Sequence, residues 1–178
     1  LLFITKNGMV KRSSLALYKA QRFSKALVAV KLKEDDEVVN VYITGGSDEI
    51  FLSTEFGYGL WFSEDEVNIV GQRAAGVKGI NLKPGDHVVN GITFSLHDDV
   101  YFFLITQRAA AKKMSITEFD KSSRAKRGLI MLRELKSSPH RIVSFHRVVE
   151  GDQFNLQTQG GKTTKVDPKD FRTNDRYS

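Results

Sequence analysis

This sequence predicts an all-β fold of propeller-like blades, each of four antiparallel strands, with three full blades and part of a fourth in an open arc. Three observations carry that expectation. A pattern of about 50 residues recurs along the 178-residue chain, and repeats of ~20–50 residues mark solenoids, propellers or arrays. Every copy opens on a short apolar segment ending at a threonine, with the period-two alternation of a strand. A small residue follows three positions later, as a tight hairpin requires.

The anchors are Thr5, Thr54, Thr106 and Thr158, spaced 49, 52 and 52 apart. Four and two residues before them stand Leu1 and Phe3, Ile50 and Leu52, Phe102 and Leu104, Phe154 and Leu156. Each opening strand is therefore expected to bury one face. Gly8, Gly57, Ala109 and Gly161 supply the turns. Beyond each return strand come Ser14, Ser63, Ser115 and Asp167, all good N-cap side chains. Glu66 and Glu118 follow Ser63 and Ser115 by three residues, which predicts capping boxes. Four residues past each cap, Tyr18, Val67, Phe119 and Phe171 are placed to pack back on the sheet. The second half of a copy reads as another hairpin: residues 27–32 with 38–44, 77–82 with 88–94, and 129–135 with 141–148. The copies run approximately 1–49, 50–101, 102–153 and 154–178, the last stopping after its first hairpin. One such unit cannot bury its apolar face alone, so neighbours must stack.

Composition narrows the function classes. Apolar residues make up 40% and charged residues 27%, ordinary for a soluble globular chain, and no apolar run reaches the ~18–20 residues of a membrane helix. No signal-peptide pattern precedes the first strand. Cysteine is absent, so disulfides and thiolate metal sites are excluded. The chain starts at Leu1 inside an apolar run and reads as a piece of a longer subunit. His87, His97, His140 and His146 lack metal-ligand spacing, no phosphate-binding glycine loop or nucleophile elbow occurs, and the acidic loop at residues 34–37 reads as solvated. No catalytic residue, metal, cofactor or small-molecule ligand is expected. Trp61 reads as a cover for the blade core. The net charge of +6 hides a strong alternation: +6 over residues 1–30, −8 over 31–100, +8 over 101–147 and zero thereafter.

The run Thr5-Lys6-Asn7-Gly8-Met9-Val10-Lys11-Arg12, then Tyr18-Lys19-Ala20-Gln21-Arg22, then Lys33-Glu34-Asp35-Asp36 resembles the C-terminal domain of the bacterial type IIA topoisomerase A subunits. The resemblance covers essentially the whole chain and is most specific over its first 40 residues. It implies a β-pinwheel, a disc of four-stranded blades that exchange strands with their neighbours. The gyrase form carries a Gln-Arg-Arg-Gly-Gly-Lys-Gly box where this chain has Gln21-Arg22-Phe23-Ser24-Lys25-Ala26. Residues 72–77 and 123–128 look like further degenerate echoes. The intact box is associated with chiral DNA wrapping. Its degradation is similar to the topoisomerase IV branch of Gram-positive type and implies DNA binding or bending without that wrapping. The resemblance implies as partners double-stranded DNA, the ATPase partner subunit, and the rest of the A subunit, with ATP and Mg confined to other parts of the enzyme. It also implies a cytoplasmic, nucleoid-associated setting and no activity in this domain by itself; the DNA-cleaving tyrosine of the family belongs to an upstream domain.

The chemistry of the cations gives the matching expectation. Six and seven residues after the threonines stand Lys11 and Arg12, Leu60 and Trp61, Lys112 and Lys113, Thr164 and Lys165. Long cations at equivalent points of successive blades would form a stepped track for a phosphate backbone. The box-like loops add Lys19, Gln21, Arg22, Lys25, Arg73, Arg124, Lys126 and Arg127, with Lys78 nearby. The second copy breaks the pattern with Leu60, Trp61 and an acidic surround, so DNA is expected to skip it or that blade to face the rest of the enzyme. The alternative reading is a propeller-type protein-interaction scaffold that binds no DNA.

Overall fold

The computed structural model describes residues 1–19, 22 and 24–177. Thirteen strands follow in chain order: β1 Leu2–Thr5, β2 Met9–Arg12, β3 Val38–Tyr42, β4 Glu49–Thr54, β5 Tyr58–Ser63, β6 Val77–Lys78, β7 Val88–Phe94, β8 Tyr101–Thr106, β9 Ala111–Ser115, β10 Leu129–Ile130, β11 Ile142–Val148, β12 Phe154–Gln157 and β13 Thr163–Val166. Four 3-10 turns, Leu15–Tyr18, Glu64–Glu66, Ile116–Glu118 and Pro168–Asp170, follow β2, β5, β9 and β13. Among the described residues no α-helix forms.

The repeated threonine is a hairpin cap. Its Oγ1 accepts the backbone N–H four residues on: Met9 to Thr5 at 3.1 Å, Tyr58 to Thr54 at 3.1 Å, Ala110 to Thr106 at 3.3 Å and Lys162 to Thr158 at 3.2 Å. The turn puts its third residue in the left-handed region, with φ of 82° at Gly8, 91° at Gly57, 57° at Ala109 and 81° at Gly161. Only Ala109 carries a Cβ there, at a cost of about 1 kcal/mol. Ser63, Ser115 and Asp167 accept from the N–H two residues on, while Ser14 makes no such bond.

The sheets exchange strands, as the family resemblance implies, and so differ from the second hairpins read from the residues. Strand order is β3-β1-β2-β6 in the first blade, β10-β5-β4-β7 in the second, β11-β8-β9 in the third and β12-β13 in the last. Residues 77–82 and 129–135 therefore do not pair with the strand that follows them. The second and third copies instead each lend a two-residue strand to the blade before them: β6 joins β2 (Met9 opposite Lys78) and β10 joins β5 (Gly59 opposite Leu129). Residues 27–32 form no strand, and no preceding blade stands beside them among the described residues. A Cβ on Gly76 or Gly128 would run into the backbone of Val10 or Gly59 respectively, so each crossing begins on a glycine because nothing larger fits.

Each crossing is fastened by one recurring backbone bond. Val70 N–H donates to Arg12 O at 2.9 Å, Ser122 to Trp61 O at 2.8 Å and Asn174 to Lys113 O at 2.8 Å. Short parallel bridges, Arg12 with Ile69 and Lys113 with Thr173, mark the same approach.

Stacking makes the central strands buried on both faces, not one as expected; every residue of β4 is buried. Leu2, Ile4 and Val10 meet Ile50, Leu52, Leu60 and Phe62 between the first two blades. Phe51 and Phe94 meet Phe102, Leu104 and Phe145 between the next two, with the Phe51 and Phe145 rings stacked at 5.6 Å. Phe103 and Ile105 meet Phe154, Leu156 and Phe171 beyond. Trp61 packs against the middle core while its Nε1 donates to Glu49 at 2.6 Å.

Two substitutions test the hairpin account. Thr54→Val strands the buried Tyr58 N–H and should destabilise the chain by about 1–3 kcal/mol. Ala109→Gly removes the left-handed strain and should stabilise it by about 1 kcal/mol. Urea midpoints shifting in opposite directions confirm the turn geometry; parallel shifts refute it.

Candidate nucleic-acid interface

The hairpin register decides which cations can face a phosphate. β1 and β2 pair with Phe3 opposite Lys11, and β8 and β9 with Leu104 opposite Lys112. Directly opposed residues share a face of the sheet, so both lysines join the buried side. The structure corrects the expectation that they line the rim. Lys11 is 1% exposed; its Nζ donates to Ala29 O at 3.0 Å, to Tyr18 Oη at 3.3 Å and to Gln72 O. Lys112 is 5% exposed, and its Nζ donates to Met131 O at 3.1 Å and Arg176 O at 2.7 Å. Both fasten crossing segments through carbonyls.

Arg12 is spent in the same way. Its Nε donates to Val67 O at 2.8 Å and Nη1 to Gly46 O at 2.9 Å, with Glu64 and Asp65 carboxylates at 3.7 and 3.9 Å. Lys113 lies over the Tyr101 ring at 5.4 Å, in a cleft shared with Asp99, Glu150 and Asp167. Lys11, Arg12 and Lys112 are thus engaged within the fold, and of these four residues of the expected stepped track only the half-buried Lys113 is without a side-chain hydrogen bond or ion pair among the described residues.

The capping boxes are likewise replaced. Glu66 Oε2 accepts the Arg124 N–H at 2.7 Å, and Arg124 returns Nε to Glu66 O at 3.0 Å and Nη1 to Lys78 O at 3.0 Å. Arg176 repeats all three contacts on Glu118 and Ile130, at 3.1, 3.2 and 3.1 Å. Each glutamate carboxylate thus accepts the backbone N–H of the arginine 58 residues on instead of reaching back to its own cap residue. The equal spacing of Glu66 to Arg124 and Glu118 to Arg176 was a signal in the sequence.

What remains is the set of box-like loops, two of which lead into crossing strands. Lys19, Arg22, Lys25 and Arg73 line one open cleft of about 670 Å³. Lys126 and Arg127 line another beside Trp61 and Lys121. Lys121 is held by Glu49 at 2.6 Å, whereas Lys19, Arg22, Lys25, Arg73, Lys78, Lys126 and Arg127 are all exposed. No side-chain hydrogen bond or ion pair holds these seven among the described residues. Gln21 lies outside the described residues. The segments touch in series: Lys31 N–H donates to Ala74 O at 3.3 Å, Ala125 to Gly79 O at 2.7 Å and Asn81 to Lys126 O at 2.8 Å. Residues 18–33, 70–83 and 121–133 together carry thirteen Lys or Arg and no Asp or Glu. The interblade linkers and one 3-10 turn, residues 43–48, 64–69, 95–100 and 149–153, carry eight Asp or Glu and no Lys or Arg. Opposite charges are thus sorted onto different parts of the blades.

Burial lowers the Lys112 ammonium to about 8, against the smaller opposing pull of Asp175 and Glu118. The folded chain gives up this proton near pH 8 while the unfolded chain keeps it to about 10.4. The folded state therefore binds fewer protons in that window, and stability should rise with pH across it. Compared with Lys112→Met, the parent chain should gain up to about 3 kcal/mol between pH 7.5 and 10, read from urea unfolding; a constant difference would contradict the buried assignment.

The family described as "DNA gyrase C-terminal domain, beta-propeller" matches residues 1–44, 48–95 and 101–148. The chain is 55% identical over all 178 residues to the A subunit of DNA topoisomerase 4 from Bacillus subtilis (strain 168), of which it spans 22%. The solved "Crystal structure of the C-terminal domain of DNA topoisomerase IV" superposes with a TM-score of 0.94 at 52% identity, covering 99% of this chain and 55% of that one. "Structure of DNA gyrase A C-terminal domain" superposes at 0.75 with 19% identity, covering 92% and 54%, a likeness of fold. With three blades joined by exchanged strands and a family match over most of its length, this chain belongs to the DNA gyrase C-terminal domain family of β-propellers.

Proposed function

We propose that the chain is the non-catalytic DNA-binding part of a topoisomerase IV A subunit, and that duplex DNA follows its outer edge. The observation that carries the reading is the run of acid-free loops: thirteen cations with no carboxylate, on segments that touch one another across the blades. Phosphates need positive charge at intervals and no base readout, which suits exposed lysines and arginines on backbone-fastened loops. The acidic linkers repel the duplex from that part of each blade and so confine its path. Binding or bending here sets which crossings or supercoils the catalytic core receives. The partners are double-stranded DNA, the ATPase partner subunit, and the rest of the A subunit, in the bacterial cytoplasm at the nucleoid. ATP and Mg act elsewhere in that enzyme.

Fluorescence anisotropy of a labelled duplex against salt tests this. If about six phosphates are neutralised, log K should fall with log salt at a slope near −5. Arg22→Gln, Arg73→Gln and Arg127→Gln should each flatten the slope by about 1, and Arg12→Gln should leave it unchanged. Binding that is absent or insensitive to salt would favour the protein-scaffold reading.

A further inference from the structure

The exposed cations Arg73, Lys78, Lys126 and Arg127 stand on crossing segments, so whatever fixes one segment against the next also fixes the spacing of the charges. Between the second and third blades that fixture is Arg124. Its backbone N–H and Nε grip Glu66, and its Nη1 reaches Lys78 O in the exchanged strand. The next two residues add Ala125 N–H to Gly79 O and Lys126 O from Asn81 N–H. One planar group thus ties the end of a 3-10 turn, a crossing strand and the Lys126–Arg127 loop together. The same fork recurs in Arg176. At the first junction the equivalent position is Gln72, whose carbonyl accepts from Lys11 as that of Arg176 accepts from Lys112.

We propose that Arg124 is a positioning residue for DNA binding and not a phosphate contact: it holds the Lys126–Arg127 cations at a set spacing from Arg73 and Lys78, so that one duplex engages both groups. This rests on the DNA-binding reading above. Nε and Nη1 each donate to a carbonyl, so two of the five N–H donors of the guanidinium are committed to holding the fold. Duplex DNA is stiff, and bending a 20–30 bp site costs on the order of 1–6 kcal/mol, so misplaced cations lose contact because the DNA does not bend to meet them. Lysine keeps the charge but cannot reproduce the fork.

The test compares the parent chain, Arg124→Lys and Glu66→Gln on two probes: a stiff duplex of about 30 bp, and a flexible single strand of about 30 nucleotides, which can bend to meet displaced cations. Arg124→Lys should bind the duplex on the order of tenfold more weakly and leave the single strand unchanged. Glu66→Gln, which weakens the same fixture from its other side, should show the same selective loss. Equal affinity of Arg124→Lys and the parent chain for the duplex overturns the proposal, as does equal weakening on both probes. If the parent chain does not bind the duplex, the DNA-binding reading itself falls and the positioning role with it.

Discussion

Everything in this fold depends on a chain that must leave its own blade and seat against the previous one. The recurring bond from Val70, Ser122 and Asn174 to the carbonyls of Arg12, Trp61 and Lys113 marks where that happens. It satisfies backbone groups that would otherwise be stranded at a sheet edge, where an open strand invites pairing with another chain. It also forces the crossing backbone so close to the neighbour that Gly76 and Gly128 are required. Apolar stacking between blades supplies the driving force, but it is non-directional; the crossing gives it an angle.

The crossing also explains the sorting of charge. A segment that runs along the outside of two blades is exposed, and its outward positions are free to carry cations. The cations that face inward are used up in holding it: Lys11, Lys112, Arg12, Arg124 and Arg176 all donate to backbone carbonyls. A buried carbonyl receiving a charged donor makes a stronger bond than a neutral pair. In this chain, then, positive charge does two jobs that a list of lysines and arginines cannot separate. Those that hold the blades are buried or half-buried, and those left over make the edge.

Much of this was legible in the chain of residues. The threonine spacing, the turn residues and the caps at Ser63, Ser115 and Asp167 are local features, and local geometry reproduces them. The exchange of strands was not legible from residues 77–82 alone, because an apolar segment has the same pattern whichever sheet it joins. Residues 27–32 make the point: they look like 77–82 but form no strand. The burial of Lys11 and Lys112 could have been read from the hairpin register, which sets them opposite Phe3 and Leu104. Charge outweighed parity in the sequence reading, and parity was the better guide. The box-like loops kept their cations exposed apart from Arg124, whose role depends on a glutamate 58 residues away.

The absence of cysteine permits a direct measurement of where DNA lies. Single cysteines placed at Ser24, Gly71 and Ser123 on the acid-free segments, and at Ser47 and Ser95 on the acidic linkers, can each carry a tethered iron chelate that cuts nearby DNA. Cuts from the first three, appearing in that order along one duplex, with none from the last two, are the predicted result. Cuts from the linker positions, or an unordered pattern from all five, would contradict an acid-free edge that the duplex follows.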